Sequence, residues 1–198
     1  MFPTQFQLIE DGHELTWQCN HLGPFLLTEL LLPQLKKAEA PRIVNVSSAS
    51  NLGSKKINVE HVDSKQHFSR IESYRTSKLA NVRILLRRFF LTHYLQKEGN
   101  QHITVNACHP SVVDTNIGRN FIYNWLKIIS TPLRWFFLKT EEDGAQTSLY
   151  LALSTKVDGI SGKYFTNCAI AKENPLALDN QACEDLYNYS LKATGINK

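Results

Sequence analysis

The chain has 198 residues, of which 42% are hydrophobic and 20% charged, the balance of a single soluble globular domain with room for a real core. Its formal charge of +4 comes from scattered basic residues, the densest clusters being Lys36-Lys37, Lys55-Lys56 and Arg87-Arg88. No basic stripe interleaved with aromatics is present, which excludes nucleic acid as an expected partner.

Residues 1–13 are polar and irregular, with Pro3 and Gly12, and the opening Met-Phe-Pro-Thr-Gln is neither basic nor followed by an apolar run, so it does not read as a signal peptide. From Glu14 a helical pattern runs through Leu22, Phe25, Leu26 and Leu30 to Leu35 and stops at Lys36-Lys37. It is apolar nearly all round, which predicts burial on most faces or packing against a second subunit. Asn20 and His21 are polar intruders on it. By pattern alone, Asn20 is an ordinary buried amide satisfied by backbone.

Arg42 to Val46, followed by Ser47 and Ser48, is a β-branched run ended by a turn cluster of small polar residues. It predicts a buried strand whose C-terminal end presents Ser47 and Ser48. In an open α/β sheet that end is where ligands bind. Residues 51–72 form a polar connection without strong periodicity.

A second helix is predicted from about Ser73 to Gln96, with Leu79, Val82, Leu85, Leu86, Phe89, Phe90 and Leu95 on its apolar face and Gly99-Asn100 as the stop. Near its start Tyr74 and Lys78 lie four residues apart and project from one face. An ammonium there favours an ionised phenol, so the expectation is a tyrosine pKa lowered from about 10. Such a phenol gives a proton to a carbonyl oxygen or takes one from an alcohol. The pair alone is weak, because Tyr-x-x-x-Lys is a frequent accident of sequence.

Ile103 to Cys108 predicts a second strand closed by His109-Pro110, and the helix–strand rhythm predicts a parallel sheet with crossover helices. Residues 121–138 carry Phe121, Tyr123, Trp125, Trp135, Phe136 and Phe137, but Lys127, Pro132 and Arg134 interrupt them and argue against a membrane span. They read as a core helix pair, or as an apolar substrate lid or element of peripheral membrane contact. Thr140-Glu141-Glu142 opens a helix to Leu153, Gly162 to Phe165 predicts the last strand, and a tail and helix follow from Glu173. The cysteines Cys19, Cys108, Cys168 and Cys183 form no Cys-x-x-Cys pair and have no histidine at zinc spacing. No metal site is expected, and the thiols are those of an intracellular reducing compartment.

Asn20, Ser48, Tyr74 and Lys78, taken in this order, resemble the Asn-Ser-Tyr-Lys tetrad of the short-chain dehydrogenase/reductase family. The flanking words agree: Asn20-His21-Leu22-Gly23, Ile43 to Ser48, Ser77-Lys78-Leu79-Ala80-Asn81, His109-Pro110 with Val113 and Thr115, and Gly144-Ala145-Gln146-Thr147-Ser148. They look most like the retinol dehydrogenase branch, and the likeness covers nearly all of 1–198. It implies hydride transfer between NADP, with NAD as the alternative, and a lipophilic alcohol or carbonyl such as a retinoid. It also implies Tyr74 as proton donor and acceptor and Ser48, rather than Ser47, as the hydroxyl holding the substrate oxygen. Lys78 would bind the nicotinamide ribose, and Asn20 would position a water. Tyr74, Lys78, Pro110, Val112, Val113 and Thr115 would face the cofactor.

By the same resemblance the chain divides into a tetrad region at 1–120, an apolar lid region at 121–140 and a C-terminal region at 141–198. A dimer through helices 14–37 and 73–96, and a place at the endoplasmic reticulum or mitochondrial membrane surface, are further implications. Two departures stand out. Ser111 follows Pro110 where the family has glycine, at a cost of about 1 kcal/mol if that turn needs φ > 0. The family's opening strand and glycine-rich phosphate loop have no counterpart among the 9 glycines. The expected architecture is therefore α/β, the C-terminal part of a doubly wound Rossmann-type parallel sheet, incomplete on its N-terminal side. An open strand edge, low stability alone and weak cofactor affinity follow from that expectation. So does the alternative of a truncated, non-catalytic isoform that pairs with full-length subunits.

Overall fold

The computed structural model describes residues 1–86, 103–111 and 139–196. Glu14 caps the first helix, its Oε2 accepting from the Trp17 amide at 2.9 Å. α1 (Leu15–Trp17) passes through a π-helical segment (Gln18–Leu22) into α2 (Gly23–Leu35). Asn20 and His21 both lie on the π segment, whose wider turn is a frequent mark of functional sites. The helix buries Trp17, Leu22, Phe25 and Leu32 but leaves Leu27, Leu30 and Leu31 exposed, so it is covered on one side rather than on most.

β1 (Arg42–Val46) and β2 (Thr104–His109) pair in parallel, with Arg42 opposite Thr104 and Val46 opposite Cys108. β3 (Tyr164–Thr166) continues the parallel pairing on the far side of β2, and β4 (Ala169–Ala171) returns antiparallel beside β3. The four-stranded order β1-β2-β3-β4 leaves β1 at an edge among the described residues. That position explains why β1 is half-buried rather than the buried strand the sequence predicts. β4 is an addition to the sequence reading. Asn167 and Cys168, with φ of 49° and 59°, form the two-residue turn that creates it.

α3 (Arg70–Leu86) starts three residues before the predicted Ser73 and packs across β1 and β2. The predicted stretch from Arg87 to Gln96 lies outside the described residues. α4 (Glu141–Leu153) has the predicted bounds, with Thr140 Oγ1 accepting the Asp143 amide at 3.1 Å. α5 (Asn180–Ala193) closes the chain. The main core gathers Trp17, Leu22, Leu79, Val82, Val105, Tyr164 and Leu186 from α1, the π segment, α3, β2, β3 and α5. A smaller cluster of Cys108, Leu151, Val157 and Phe165 lies under α4. The fold is an open, mostly parallel α/β sheet with helices packed on it. All four cysteines are free thiols. Among the described residues, no helix is long and apolar enough to cross a membrane.

Candidate active site

The C-terminal end of β1 sorts the two serines by strand alternation. Ser47 turns inward, is buried, and donates its hydroxyl to the Lys78 carbonyl at 2.7 Å, so it is a structural tie between β1 and α3. Ser48 turns the other way. Its Oγ accepts from the Ser50 amide at 3.2 Å and donates to Ser50 Oγ at 3.1 Å, and its hydroxyl lies close enough to the Tyr74 phenol to influence its proton. The geometry thus pairs with Tyr74 the serine that the resemblance selects.

Tyr74 and Lys78 share one face of α3, with Lys78 Nζ 5.7 Å from the centre of the Tyr74 ring. Lys78 Nζ donates to the Val46 carbonyl at 3.2 Å. Burial raises the Tyr74 pKa above the usual phenol value, and the Ser48 hydrogen bond opposes that rise. The direction differs from the lowering expected from Lys78, because withdrawal from water is the main influence on this phenol. Burial also lowers the Lys78 pKa, against an opposing effect of Cys108.

Asn20 is buried on the π segment with both ends of its amide engaged. Its Nδ2 donates to the Met1 carbonyl at 2.7 Å and to Ser77 Oγ at 3.0 Å, while its Oδ1 accepts from the Met1 amino group. Ser77 in turn donates to the Tyr74 carbonyl at 2.8 Å, which ties Asn20 to the turn of α3 that carries the tyrosine. The Met1 ammonium has its pKa lowered by burial first and by the charge of Lys78 second. Phe2 lies 5.2 Å from Tyr74, ring centre to ring centre, so residues 1 and 2 border the site.

The structure therefore brings Asn20, Ser48, Tyr74 and Lys78 to one end of the sheet. Pro110 lies at the same end, just beyond β2, and Ser111 after it has φ of 71°. The left-handed turn is present without its glycine. The Ser111 hydroxyl donates to Asn167 Oδ1 at 2.9 Å, and Lys139 Nζ donates to the same oxygen at 2.6 Å. Val112, Val113, Thr115 and the aromatic stretch 121–138 lie outside the described residues.

Three polar residues at the site were not singled out from sequence. Ser77 anchors Asn20, as above. Asn51 donates to the Ser48 carbonyl and to the Tyr164 hydroxyl, fixing the turn that carries Ser48. Asn81 donates to the Val46 carbonyl at 3.3 Å. Asn81 had a signal in hand, since it follows Lys78 by three residues and so shares its helix face.

Residues 3–123 match the short chain dehydrogenase family. The chain is 38% identical to retinol dehydrogenase 14 of Mus musculus, over 100% of this chain and 58% of that protein. It is 41% identical to retinol dehydrogenase 12 of Homo sapiens, over 94% of this chain and 56% of that protein. It thus spans a little more than half the length of these relatives. Among solved structures, an uncharacterised protein from Mycobacterium paratuberculosis superposes with a TM-score of 0.73 at 25% identity, covering 98% of this chain and 64% of that one.

Proposed function

The chain belongs to the short-chain dehydrogenase/reductase family, in its retinol dehydrogenase-like branch, and on that premise we propose that its tetrad is the proton-handling half of a nicotinamide-dependent oxidoreductase site. The substrate in this reading is a lipophilic alcohol or carbonyl of retinoid type, and the hydride carrier is NADP. One observation carries it: Tyr74 meets Ser48 at the C-terminal end of β1, with Lys78 one helical turn along the same face.

The residues present fit the reactive half of such a cofactor. Lys78 offers a cationic donor beside Tyr74, and the left-handed turn at Ser111 follows the end of β2. No residue is assigned to the pyrophosphate or adenine, for which the sequence has no glycine-rich cradle. The bound nicotinamide supplies or accepts hydride. The chain does the rest. Ser48 Oγ and Tyr74 Oη both donate to the substrate oxygen, and these bonds tighten as negative charge grows on it. Tyr74 then passes its proton to that oxygen in reduction and recovers it in oxidation. The raised phenol pKa holds that proton on Tyr74 at neutral pH, which suits the reducing direction.

Titration of the purified chain with NADPH, followed by cofactor fluorescence, tests this reading. Saturable binding below about 100 μM, lost in Lys78→Ala, with reduction of retinal lost in Tyr74→Phe, is the expected result. No binding at millimolar cofactor sinks it. A second reading, pairing of this chain with another subunit, is favoured by the exposed Leu27, Leu30 and Leu31 on α2 beside an open sheet edge.

A further inference from the structure

The peptide groups of β1 alternate between the two edges of the strand. The Pro41 carbonyl accepts from the Thr104 amide at 3.1 Å and the Ser47 amide donates to the Cys108 carbonyl at 2.7 Å, so odd-numbered residues face β2. The Val46 carbonyl therefore points to the open edge. A carbonyl there ordinarily takes a neighbouring strand or water. Here it takes two side chains of α3 instead, Lys78 Nζ at 3.2 Å and Asn81 Nδ2 at 3.3 Å.

The two donors differ in freedom. Lysine has four rotatable bonds and a head that solvent readily claims. Asn81 is short and buried, and its side chain lies close to His21. His21 is 1% exposed, and its Nε2 meets Ser190 Oγ at 2.9 Å. Ser190 spends its own proton on the Leu186 carbonyl at 2.7 Å, so Nε2 of His21 is the donor in that pair. Polar side chains thus run from Ser190 on α5 through His21 on the π segment to neighbouring Asn81, whose amide shares the Val46 carbonyl with the Lys78 ammonium.

We propose that Asn81 is a positioning residue for Lys78: it fixes the Val46 carbonyl as the ammonium's acceptor, and His21 and Ser190 fix Asn81. The proposal rests on the reading of Lys78 as part of the reactive site, and it adds the device that places that lysine. It also gives the buried His21 a task that burial alone leaves unexplained. Among the described residues, the titratable groups facing Lys78 are Tyr74 on its own helix, Cys108 on β2 and the Met1 amino group.

Two donors on one carbonyl compete. Removal of the neutral one leaves the carbonyl to the charged one, so Lys78 then holds its proton to a higher pH. The test is a carbon-13 NMR titration of the full chain labelled at lysine Cε, with the Lys78 signal identified by its loss in Lys78→Arg. In the wild type Lys78 titrates below the exposed lysines. In Asn81→Leu, which keeps volume and removes the donor, its midpoint rises by at least about 0.5 pH unit, a threefold change in proton affinity. Asn81→Ser, a milder change at the same site, moves it in the same direction, and circular dichroism reports whether each variant is folded. A folded variant with an unmoved Lys78 midpoint overturns the proposal, as does a wild-type Lys78 that titrates with the exposed lysines. The NMR readout needs no turnover. Failure of NADPH binding with a shifted Lys78 therefore sinks the proposed function alone, and an unmoved Lys78 with normal binding sinks this inference alone.

Discussion

Ser111 shows how one residue that breaks a local rule is accommodated. Its φ of 71° lies in the left-handed region, where an L side chain costs about 1 kcal/mol relative to glycine. Against that cost stands the bond from its hydroxyl to Asn167 Oδ1, which lies near the surface and contributes at the low end of about 0.5–1.5 kcal/mol. Ser111→Gly should therefore raise stability slightly, by less than about 1 kcal/mol in urea unfolding. Asn167→Ala should lower it by more, since it strands Ser111 and Lys139 together and places alanine at positive φ. A loss of stability in Ser111→Gly would mean that the hydroxyl contact outweighs the backbone strain. The turn was legible only through the family resemblance, which puts glycine after the proline where this chain has Ser111. Its compensation was not, because Asn167 lies 56 residues away and no periodicity links the two. Tyr74 teaches the same lesson from the other side. Its spacing from Lys78 was plain, yet the direction of its pKa depends on burial, which spacing does not carry.

At the scale of elements, the long-range helices and strands were the legible part. α4 was found to the residue because Thr140 and three acidic residues in its first turn announce a helix start. β4 was missed because Ala169-Ile170-Ala171 is short and partly exposed, with no alternation, and a turn ending in Cys168 carries no usual turn signature. The seam between the π segment and α5 was also invisible. His21 crosses it to reach Ser190 over 169 residues of sequence. That seam makes the packing pH-sensitive. Burial lowers the His21 pKa from 6.5 to about 3, so the unfolded chain takes up a proton before the folded one does. The stability contributed by neutral His21 is complete above pH 6.5 and is lost as pH falls toward about 3. Between pH 6.5 and 4.5 the loss is about 2 kcal/mol. Urea unfolding at those two pH values, in wild type and His21→Gln, measures it. The wild type should lose more stability than the variant across that interval, and equal losses would place the acid sensitivity elsewhere.

Across the whole molecule the sheet is asymmetric. One end is finished by the antiparallel strand β4, while β1 at the other end has no strand on its outer side among the described residues, with Val46 45% exposed at its tip. α2 adds Leu27 at 58%, Leu30 at 64% and Leu31 at 44% exposure. These three leucines lie at i, i+3 and i+4, which makes them one stripe on the helix. Full burial of a leucine is worth about 1.5–3 kcal/mol, so a partner covering the stripe gains several kcal/mol before the costs of association. An exposed strand edge and an apolar stripe on one small chain favour contact with another protein surface, and a second copy is the surface always at hand. The purified chain should therefore self-associate at micromolar concentration, with a sedimentation coefficient that rises with loading concentration. Leu27→Glu with Leu30→Lys places an i, i+3 ion pair on the stripe without touching the core. That double variant should shift sedimentation toward the monomer while leaving the far-ultraviolet circular dichroism unchanged. If the variant associates as strongly as the wild type, the stripe is not the contact and the β1 edge remains. A charged substitution at the exposed tip of that edge, Val46→Lys, then tests it, because a lysine on an edge strand opposes strand addition. Persistence of association in both would exclude both surfaces and leave the second reading of function without its structural support.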